Sequence, residues 1–544
     1  MLLAHMSGIK KYYNDRLVLN VEDFKIYKND RIGIIGLNGS GKTTFLNILT
    51  GKVSPDEGSA SILVNYSYIT QLEFEGCDEI DGFNASKLKV NELGHTGLSG
   101  GEMTRLKIAK ALSKDSALII GDEPTSNLDQ EGIELLQKEL KAFDGAILLV
   151  SHDRQFLDEI CNSILEIEDG KIKLYKGNYS KYKELKEKER ERKEFEYRQY
   201  ISEKERLLQV VENKKQKVKS MRKTPKRMGN SEARLHKMAS QNAKKTIEKQ
   251  INSVRTRINK LEAKEKPKDL PEIKVDIQEN RKLHCKVVIS SDSLKKRFGE
   301  KIIFKDAEFK IFNNSKTAII GPNGSGKTTL LKMIIERNPL INIAHGVKIG
   351  YFSQDMGILK EDKTLLQNVL EDSRFNETFI RILLARLFFK RGDLSKKVSV
   401  LSGGEKVKAA LAKIIVSDYN VLVLDEPTNY LDIYSMEAVE DALSKYEGTV
   451  VFVSHDRRFV NNIADHIISI ENYKTHCFSG TLKEFNNMKL KRSKKEIDET
   501  ERMLLENRIV QILSRLSAPS KDDDVEALDK EYQDLLIKLK HLKK

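Results

Sequence analysis

A glycine-rich phosphate-binding motif occurs twice in this chain. It reads Gly36-Leu37-Asn38-Gly39-Ser40-Gly41-Lys42-Thr43 and then Gly321-Pro322-Asn323-Gly324-Ser325-Gly326-Lys327-Thr328. Each copy fits G-x-x-x-x-G-K-[ST], in which backbone N–H groups cradle phosphates, the Lys reaches the β/γ-phosphates and the Thr hydroxyl meets Mg2+. Thr44 and Thr329 extend the two phosphate-binding sets. A single match fits many nucleotide enzymes. Two copies, each followed by the same later motifs in the same order, predict one α/β machine built twice in tandem.

The later motifs keep register. Tyr13 and Phe298 each lie 23 residues before their loop, where an aromatic ring either stacks on adenine or fills the core, and the equal spacing favours stacking. Gln71 and Gln354 end short strand-like runs, where an amide senses Mg2+ or the attacking water. Leu98-Ser99-Gly100-Gly101-Glu102 and Leu401-Ser402-Gly403-Gly404-Glu405 precede helical stretches, so their helix N-termini suit an anion, and the Ser, both Gly and the Glu of each are expected on the nucleotide. Two apolar strands then end in carboxylate pairs, Asp122-Glu123 and Asp425-Glu426. The Asp is expected on Mg2+ with Thr43 or Thr328, and the Glu is placed to polarise a water for attack on a γ-phosphate. Asp129 and Asp432 follow, and His152 and His455 each lie 30 residues after the metal Asp, as expected for a γ-phosphate contact.

Charge is distributed unevenly. The chain carries a net +14, and residues 181–270 alone hold 29 Lys and Arg against 14 Asp and Glu. That local excess predicts a polyanion, RNA or DNA, as partner. Ala146–Val150 and Val421–Leu424 are far too short to cross a bilayer and read as buried strands of a parallel sheet. Cys77, Cys161, Cys285 and Cys477 are scattered, which argues against a zinc site and for a reducing compartment. Met1–His5 has no basic or long apolar region of a signal peptide, so the expected location is cytoplasmic.

Between the copies, Ile247, Ile251, Val254, Ile258 and Leu261 follow heptad spacing. Tyr197, Ile201, Leu208, Val211 and Val218 fit a facing register, with Lys204 and Lys215 at intervening positions. These predict an antiparallel helical arm bent around Met221–Ser231, reaching about 60 Å. Its basic tip would contact phosphates without sequence specificity. In the tail, Leu504, Leu505, Ile509, Ile512 and Leu513, a turn at Ser517–Ser520, and Leu535, Leu536, Ile537, Leu539 and Leu542 predict a shorter hairpin.

The whole constellation resembles the ATP-binding cassette ATPases, and Leu-Ser-Gly-Gly-Glu is the feature that separates them from other P-loop enzymes. The resemblance implies head-to-tail pairing within a monomer. One site joins Lys42 and Glu123 to Ser402 and Gly403, and the other joins Lys327 and Glu426 to Ser99 and Gly100. ATP and Mg2+ are the implied cofactors. The expected domains are an ATPase domain at 1–180, a helical hairpin linker at 181–275, a second ATPase domain at 276–485 and a helical extension at 486–544.

Two cassettes, no membrane span and a long charged linker are similar to the F subfamily, and most to its Vga/Vml-type antibiotic-resistance members. The interval from Gln71 to Leu98 is 27 residues against 47 from Gln354 to Leu401, so the first cassette is short of helical sequence there. The resemblance implies an ATPase that enters the ribosome near the tRNA exit site with ATP bound. The linker residues near Met221–Ser231 would meet rRNA and P-site tRNA, dislodging drugs from the peptidyl-transferase centre until hydrolysis releases the protein. A housekeeping translation factor of the same subfamily and a DNA-repair ATPase remain as alternatives. A transporter subunit is disfavoured by the linker charge.

Overall fold

A computed structural model of the protein describes residues 1–69, 104, 106, 108, 109, 111, 116–126, 128–220, 230–261, 264, 283–353, 357–517 and 525–542. Within them, side chains are not described at 230–241, 490, 492–502, 525–528 and 540–542.

The chain starts with an antiparallel layer, β1 (Leu2–Tyr13) between β2 (Arg16–Tyr27) and β4 (Glu57–Ile62). The main layer is parallel. β3 (Arg31–Ile35) lies between β7 (Ala146–Val150) and β8 (Ser163–Glu168), and β6 (Leu118–Asp122) separates β7 from β5 (Tyr66–Ile69). β9 (Lys171–Lys176) closes the edge antiparallel to β8.

The second half repeats this plan. β10 (Val287–Phe298) pairs β11 (Lys301–Phe312) and β13 (Asn342–Ile343). The parallel order is β14 (Ile349–Phe352), β15 (Val421–Asp425), β16 (Thr449–Val453), β12 (Lys316–Ile320) and β17 (His466–Glu471), with β18 (Lys474–Ser479) antiparallel at the edge. Every residue of β6, β7, β15 and β16 is buried, because helices cover both faces of a parallel sheet and leave no polar side to alternate with.

Each phosphate loop leaves the central strand, β3 or β12, and enters a helix, Lys42–Leu49 or Lys327–Ile335. Gly326 precedes the second helix at φ +102°, and a Cβ there would lie 2.4 Å from Ile303. Only glycine fits both the backbone and the space. The two halves share one apolar cluster, in which Ile119 and Leu149 of the first half join Leu424 and Phe452 of the second.

The arm is a helix of 42 residues, Tyr179–Ser220, followed by a returning helix, Asn230–Lys260. At 1.5 Å per residue the first spans about 60 Å. It starts two residues before the expected boundary at 181. The returning face turns Ile251 fully inward. On the outgoing helix the seam differs from the expected register. Leu207 and Val211 are buried while Leu208 is 48% exposed, and Lys214, not Lys215, reaches across to Gln250 Oε1 at 3.0 Å. The 4-3 spacing survives one position earlier, because Leu207 sits between Lys204 and Val211 on the face that meets the partner helix. The tip at 221–229 lies outside the described residues.

The tail forms helices Leu482–Ser517 and Val525–Leu542, the first beginning before the expected 486. Its seam runs through Ile509 and Ile512, while Leu504, Leu513 and Ile537 face outward, contrary to the expected apolar side. No helix among the described residues is long and apolar enough to cross a membrane.

The seam gives a direct comparison. Leu207→Ala is expected to loosen the arm by about 2–3 kcal/mol, as for a buried leucine, and Leu208→Ala by less than about 0.5 kcal/mol. Hydrogen exchange of the arm amides in the full chain measures both, and equal effects would refute this register.

Candidate active sites

The two P-loops are built alike. Lys42 Nζ donates to the carbonyls of Gly36 (2.8 Å) and Leu37 (3.2 Å), and Lys327 Nζ to those of Gly321 (2.9 Å) and Pro322 (3.1 Å). Burial lowers both ammonium pKa values, with Glu123 or Glu426 opposing the shift. Ser40 Oγ and Ser325 Oγ are buried in these loops without a hydrogen-bond partner. A buried orphan hydroxyl beside a lysine fits a phosphate oxygen as its missing acceptor.

The carboxylates expected on metal lie next to the P-loop threonines. Thr328 Oγ1 donates to Asp425 Oδ1 at 3.3 Å, and the Thr43 side chain bonds Asp122. Burial raises the pKa of both aspartates, and the threonine bonds oppose it. A carboxylate and a hydroxyl side by side are hard oxygen donors of the kind Mg2+ takes, and so fit that ion.

Each following glutamate sits on a strained turn. Glu123 has φ +54° and Glu426 has φ +50°, a region L-residues seldom occupy and one that gathers at functional sites. Their amides are held by the carbonyls of Val150 (2.9 Å) and Val453 (3.0 Å). Glu123 Oε1 lies 3.4 Å from His152 Nε2, and Glu426 Oε1 lies 3.3 Å from His455 Nε2. Both Oε1 atoms are buried with no hydrogen bond. Burial pushes the Glu123 pKa up to about 8 and that of Glu426 to about 7. Burial, aided by the P-loop lysine, holds His152 well below its ordinary value and His455 at about 4, so both rings are neutral at pH 7.

The halves meet through Asp129 and Asp432. Asp432 caps helix Ile433–Ser444 by accepting from Ser435 N at 2.8 Å, and its other oxygen accepts from Asn38 N at 3.1 Å. Asp129 caps helix Gln130–Ala142 through Gly132 N at 3.0 Å and accepts from Asn323 N at 3.4 Å. Each aspartate therefore holds the opposite P-loop. Asn38 Nδ2 donates to Tyr430 O at 2.8 Å, and a Cβ on Gly404 would lie 2.8 Å from that same nitrogen. The second signature thus sits on the first P-loop. Ser402 caps helix Gly403–Val416, and Glu405, expected on the nucleotide, instead turns its carboxylate back to Ser402 N at 2.8 Å. Ser99, Gly100, Gly101, Glu102, Gln71 and Gln354 lie outside the described residues, as does the shortened interval after Gln71.

Tyr13 and Phe298 stand at the ends of β1 and β10 with half-exposed rings, capped by Lys11 and Lys296 at 5.9 and 5.1 Å from the centroids. A cavity of about 750 Å3 runs from Phe298 along the second P-loop to Glu426 and His455, and crosses the seam to Glu123.

One feature of the seam escaped the sequence. Arg154 is buried and donates to Glu440 (NH1 to Oε2, 3.1 Å; NH2 to Oε1), with Asp456 at 3.5 Å. Its counterpart Arg457 is more open and pairs with Glu134 at 2.7 Å. Repetition of the His-Asp-Arg triplet marks these arginines, but nothing in the spacing names partners so distant along the chain.

Fold and site together define a tandem ATP-binding-cassette ATPase. The model of the family described as ABC transporter matches residues 19–77, 77–126 and 304–429. The chain is 34% identical to the erythromycin resistance ATP-binding protein MsrA of Staphylococcus epidermidis, covering 84% of this chain and 96% of that protein. It is 31% identical to the ribosome protection protein VmlR of Bacillus subtilis (strain 168), covering 99% and 98%. It is 30% identical to ABC transporter F family member 5 of Arabidopsis thaliana, covering 91% and 78%. Among solved structures, RNase-L Inhibitor shares the fold with a TM-score of 0.60 at 20% identity, over 89% of this chain and 93% of that one. The chain belongs to the F family of ATP-binding cassette proteins, and it is a nucleotide-binding ATPase.

Two outcomes follow from the buried charges. Arg154→Ala leaves buried Glu440 without its cation, with Asn462 Nδ2 still donating at 3.1 Å, and is expected to destabilise the ligand-free protein by about 3 kcal/mol. Arg457→Ala, at a more open pair, is expected to cost below about 1 kcal/mol. Urea unfolding ranks the two, and the reverse ranking would sink the assignment. The second outcome concerns pH. A carboxyl raised to about 8 when folded stays protonated while its unfolded form ionises near its ordinary value, so its burial removes stability progressively as pH rises between the two values. Glu123→Gln should therefore melt above wild type in the ligand-free state, by a margin that grows from pH 5 to pH 8. A constant margin across that range would contradict the assignment.

Proposed function

We propose that this ATPase binds the ribosome with ATP bound, reaches rRNA and P-site tRNA with the tip of its arm, and protects the peptidyl-transferase centre from antibiotics until hydrolysis releases it. The observation that carries the reading is a basic arm of 42 residues in its outgoing helix, joined to a pair of cassettes in which an aspartate of each half accepts from the P-loop of the other. Spacers seldom need that reach or that charge, and Lys and Arg along it suit a phosphate backbone. The end-to-end relation to a protein named for ribosome protection, and the relation to one named for erythromycin resistance, support it.

In this reading Lys42 and Lys327, with the loop amides and Ser40 and Ser325, hold the phosphates. Tyr13 and Phe298 stack on the bases. Thr43 with Asp122 and Thr328 with Asp425 hold Mg2+, joined by Gln71 and Gln354. Bound Mg2+ would offset phosphate charge as it develops. Glu123 and Glu426, fixed by strained turns, orient a water and take its proton, while neutral His152 and His455 steady the glutamates and reach the terminal phosphate. Ser402 and Gly403, and in the other site Ser99 and Gly100, present a helix N-terminus to that phosphate across the seam. The protein acts as a monomer in the cytoplasm, with its two cassettes as each other's partner.

The test combines Glu123→Gln with Glu426→Gln. With ATP the double variant is expected to co-sediment with ribosomes, and wild type in a susceptible Gram-positive host is expected to raise resistance to some of lincosamides, pleuromutilins, streptogramin A, macrolides and oxazolidinones. A double variant that stays in the supernatant would defeat ribosome binding. Ribosome binding without any protection would leave a translation factor.

A further inference from the structure

The base of the arm is held by a buried polar cluster that the ATPase sites do not use. Glu166 on β8 is 3% exposed. Its carboxylate accepts from Tyr182 OH at 2.7 Å, from Tyr434 OH at 2.6 Å and from Lys186 Nζ at 2.7 Å. Tyr182 and Lys186 are in the first turns of the arm helix, and Tyr434 belongs to the second cassette. Burial raises the Glu166 pKa, but the donors from Lys186, Tyr182 and Tyr434 outweigh it and keep the carboxyl below its ordinary value. A carboxylate this deep needs such donors. Beside it, Glu437 accepts from Lys183 Nζ at 2.6 Å and from Tyr179 OH at 3.4 Å, and the Arg458 guanidinium lies 5.4 Å from the Tyr179 ring centroid.

Two further observations give this cluster a role. Tyr434 follows Asp432 by two residues in the same helical turn, and Asp432 holds Asn38 of the first P-loop. The turn that completes one nucleotide site therefore also grips the arm. The cluster has only a partial counterpart on the other side of the pseudo-twofold: Lys186, which also pairs with Glu168 at 3.0 Å, is matched by Lys489, which pairs with Glu471 at 2.7 Å, but the tyrosine–carboxylate part is not repeated. In the register that aligns Glu123 with Glu426 and His152 with His455, Glu166, Tyr182 and Tyr434 correspond to Ser469, Phe485 and Glu131. Ser469 bonds Glu471 on its own strand at 2.7 Å, and Phe485 packs on Phe478. Among the described residues, the tyrosine hydroxyls on a buried carboxylate occur where the helix leads into the arm and not at the matching positions of the second cassette.

We propose that Tyr434, Glu166 and Tyr182 are positioning residues that tie the root of the arm to cassette pairing, so that the arm is held in its working direction only while the nucleotide sites are closed. When the cassettes part, Tyr434 and Glu437 leave with the second cassette. Glu166 keeps Tyr182 and Lys186 but loses its shortest donor, and Tyr179 and Lys183 lose Glu437. The arm root then has fewer bonds fixing its angle. The inference rests on the closure reading above, and it assigns the step between the ATP sites and the arm to named side chains.

The test is hydrogen exchange by mass spectrometry on the full-length double Glu→Gln chain, with and without Mg-ATP, and again with Tyr434→Phe added. In the parent, ATP is expected to slow exchange both at the P-loop, residues 36–44, and at the arm root, residues 179–186. Tyr434→Phe removes one hydroxyl and keeps the ring. It is expected to reduce the ATP-dependent protection at 179–186 on the order of tenfold, the size of one hydrogen bond to a charged group, and to leave the P-loop response and the nucleotide-free exchange of 179–186 in place. Glu166→Gln should act in the same direction. A merely structural hydroxyl would instead alter exchange equally with and without ATP, and that result overturns the proposal. So does undiminished ATP protection of the arm root in Tyr434→Phe. Absence of any ATP response at the P-loop of the parent would count against the closure reading itself, and the knot would fall with it.

Discussion

Each of two aspartates does two jobs in this structure. One oxygen of Asp129 or Asp432 caps its own helix, and the other takes the backbone N–H of an asparagine in the opposite P-loop. A P-loop has more N–H groups than its own fold satisfies, and here one of them is satisfied only by the other cassette. Neither half therefore presents a finished nucleotide site alone. The shared apolar cluster supplies adhesion, but adhesion is non-directional. The aspartates set the register, and with it bring Gly404 against Asn38.

The pseudo-twofold is broken in ways that bear on mechanism. Arg154 is buried between Glu440 and Asp456, whereas Arg457 occupies a more open place beside Glu134. The position matching Glu440 in the first cassette is Gln137, which carries no charge. A buried ion pair contributes little net stability when formed but much specificity, because separating it leaves charge in an apolar place. The Arg154 side of the seam is thus the more fixed one, and it is the side from which the arm helix leaves, with Tyr179 next to Arg458.

The motifs made the α/β repeat and the site residues legible, since phosphate loops, carboxylate pairs and histidines recur at fixed spacing and chemistry dictates residue type at each. What the spacing could not supply was contact between distant segments. Asp129 and Asp432 were visible, but their bonds to the opposite loop depend on docking. Arg154–Glu440 and Tyr434–Glu166 depend on it too, and no local pattern encodes them. The arm's register is ambiguous for a different reason. A run such as Leu207-Leu208 offers two adjacent apolar positions about 100° apart on a helix, and only the partner helix decides which turns inward. Membership of the signature places Glu405 on the nucleotide, yet a Ser three residues before a Glu is also a capping box, and the helix end uses it so.

The paired cassettes gather groups that are poorly satisfied by protein alone. Glu123 and Glu426 are held near-neutral by burial on strained turns, Ser40 and Ser325 have buried hydroxyls with no acceptor, and Lys42 and Lys327 point their ammonium groups at carbonyls of their own loops. Each such group is costly in a dry site and each is complementary to a phosphate, a metal ion or a polarised water. Closure without ligand concentrates those deficits, and in the proposed function closure around Mg-ATP would relieve them. On that proposal the ligand would act as an adhesive between the halves: the apolar seam brings the cassettes together, and the unsatisfied polar centre would let a bound nucleotide decide how firmly they stay.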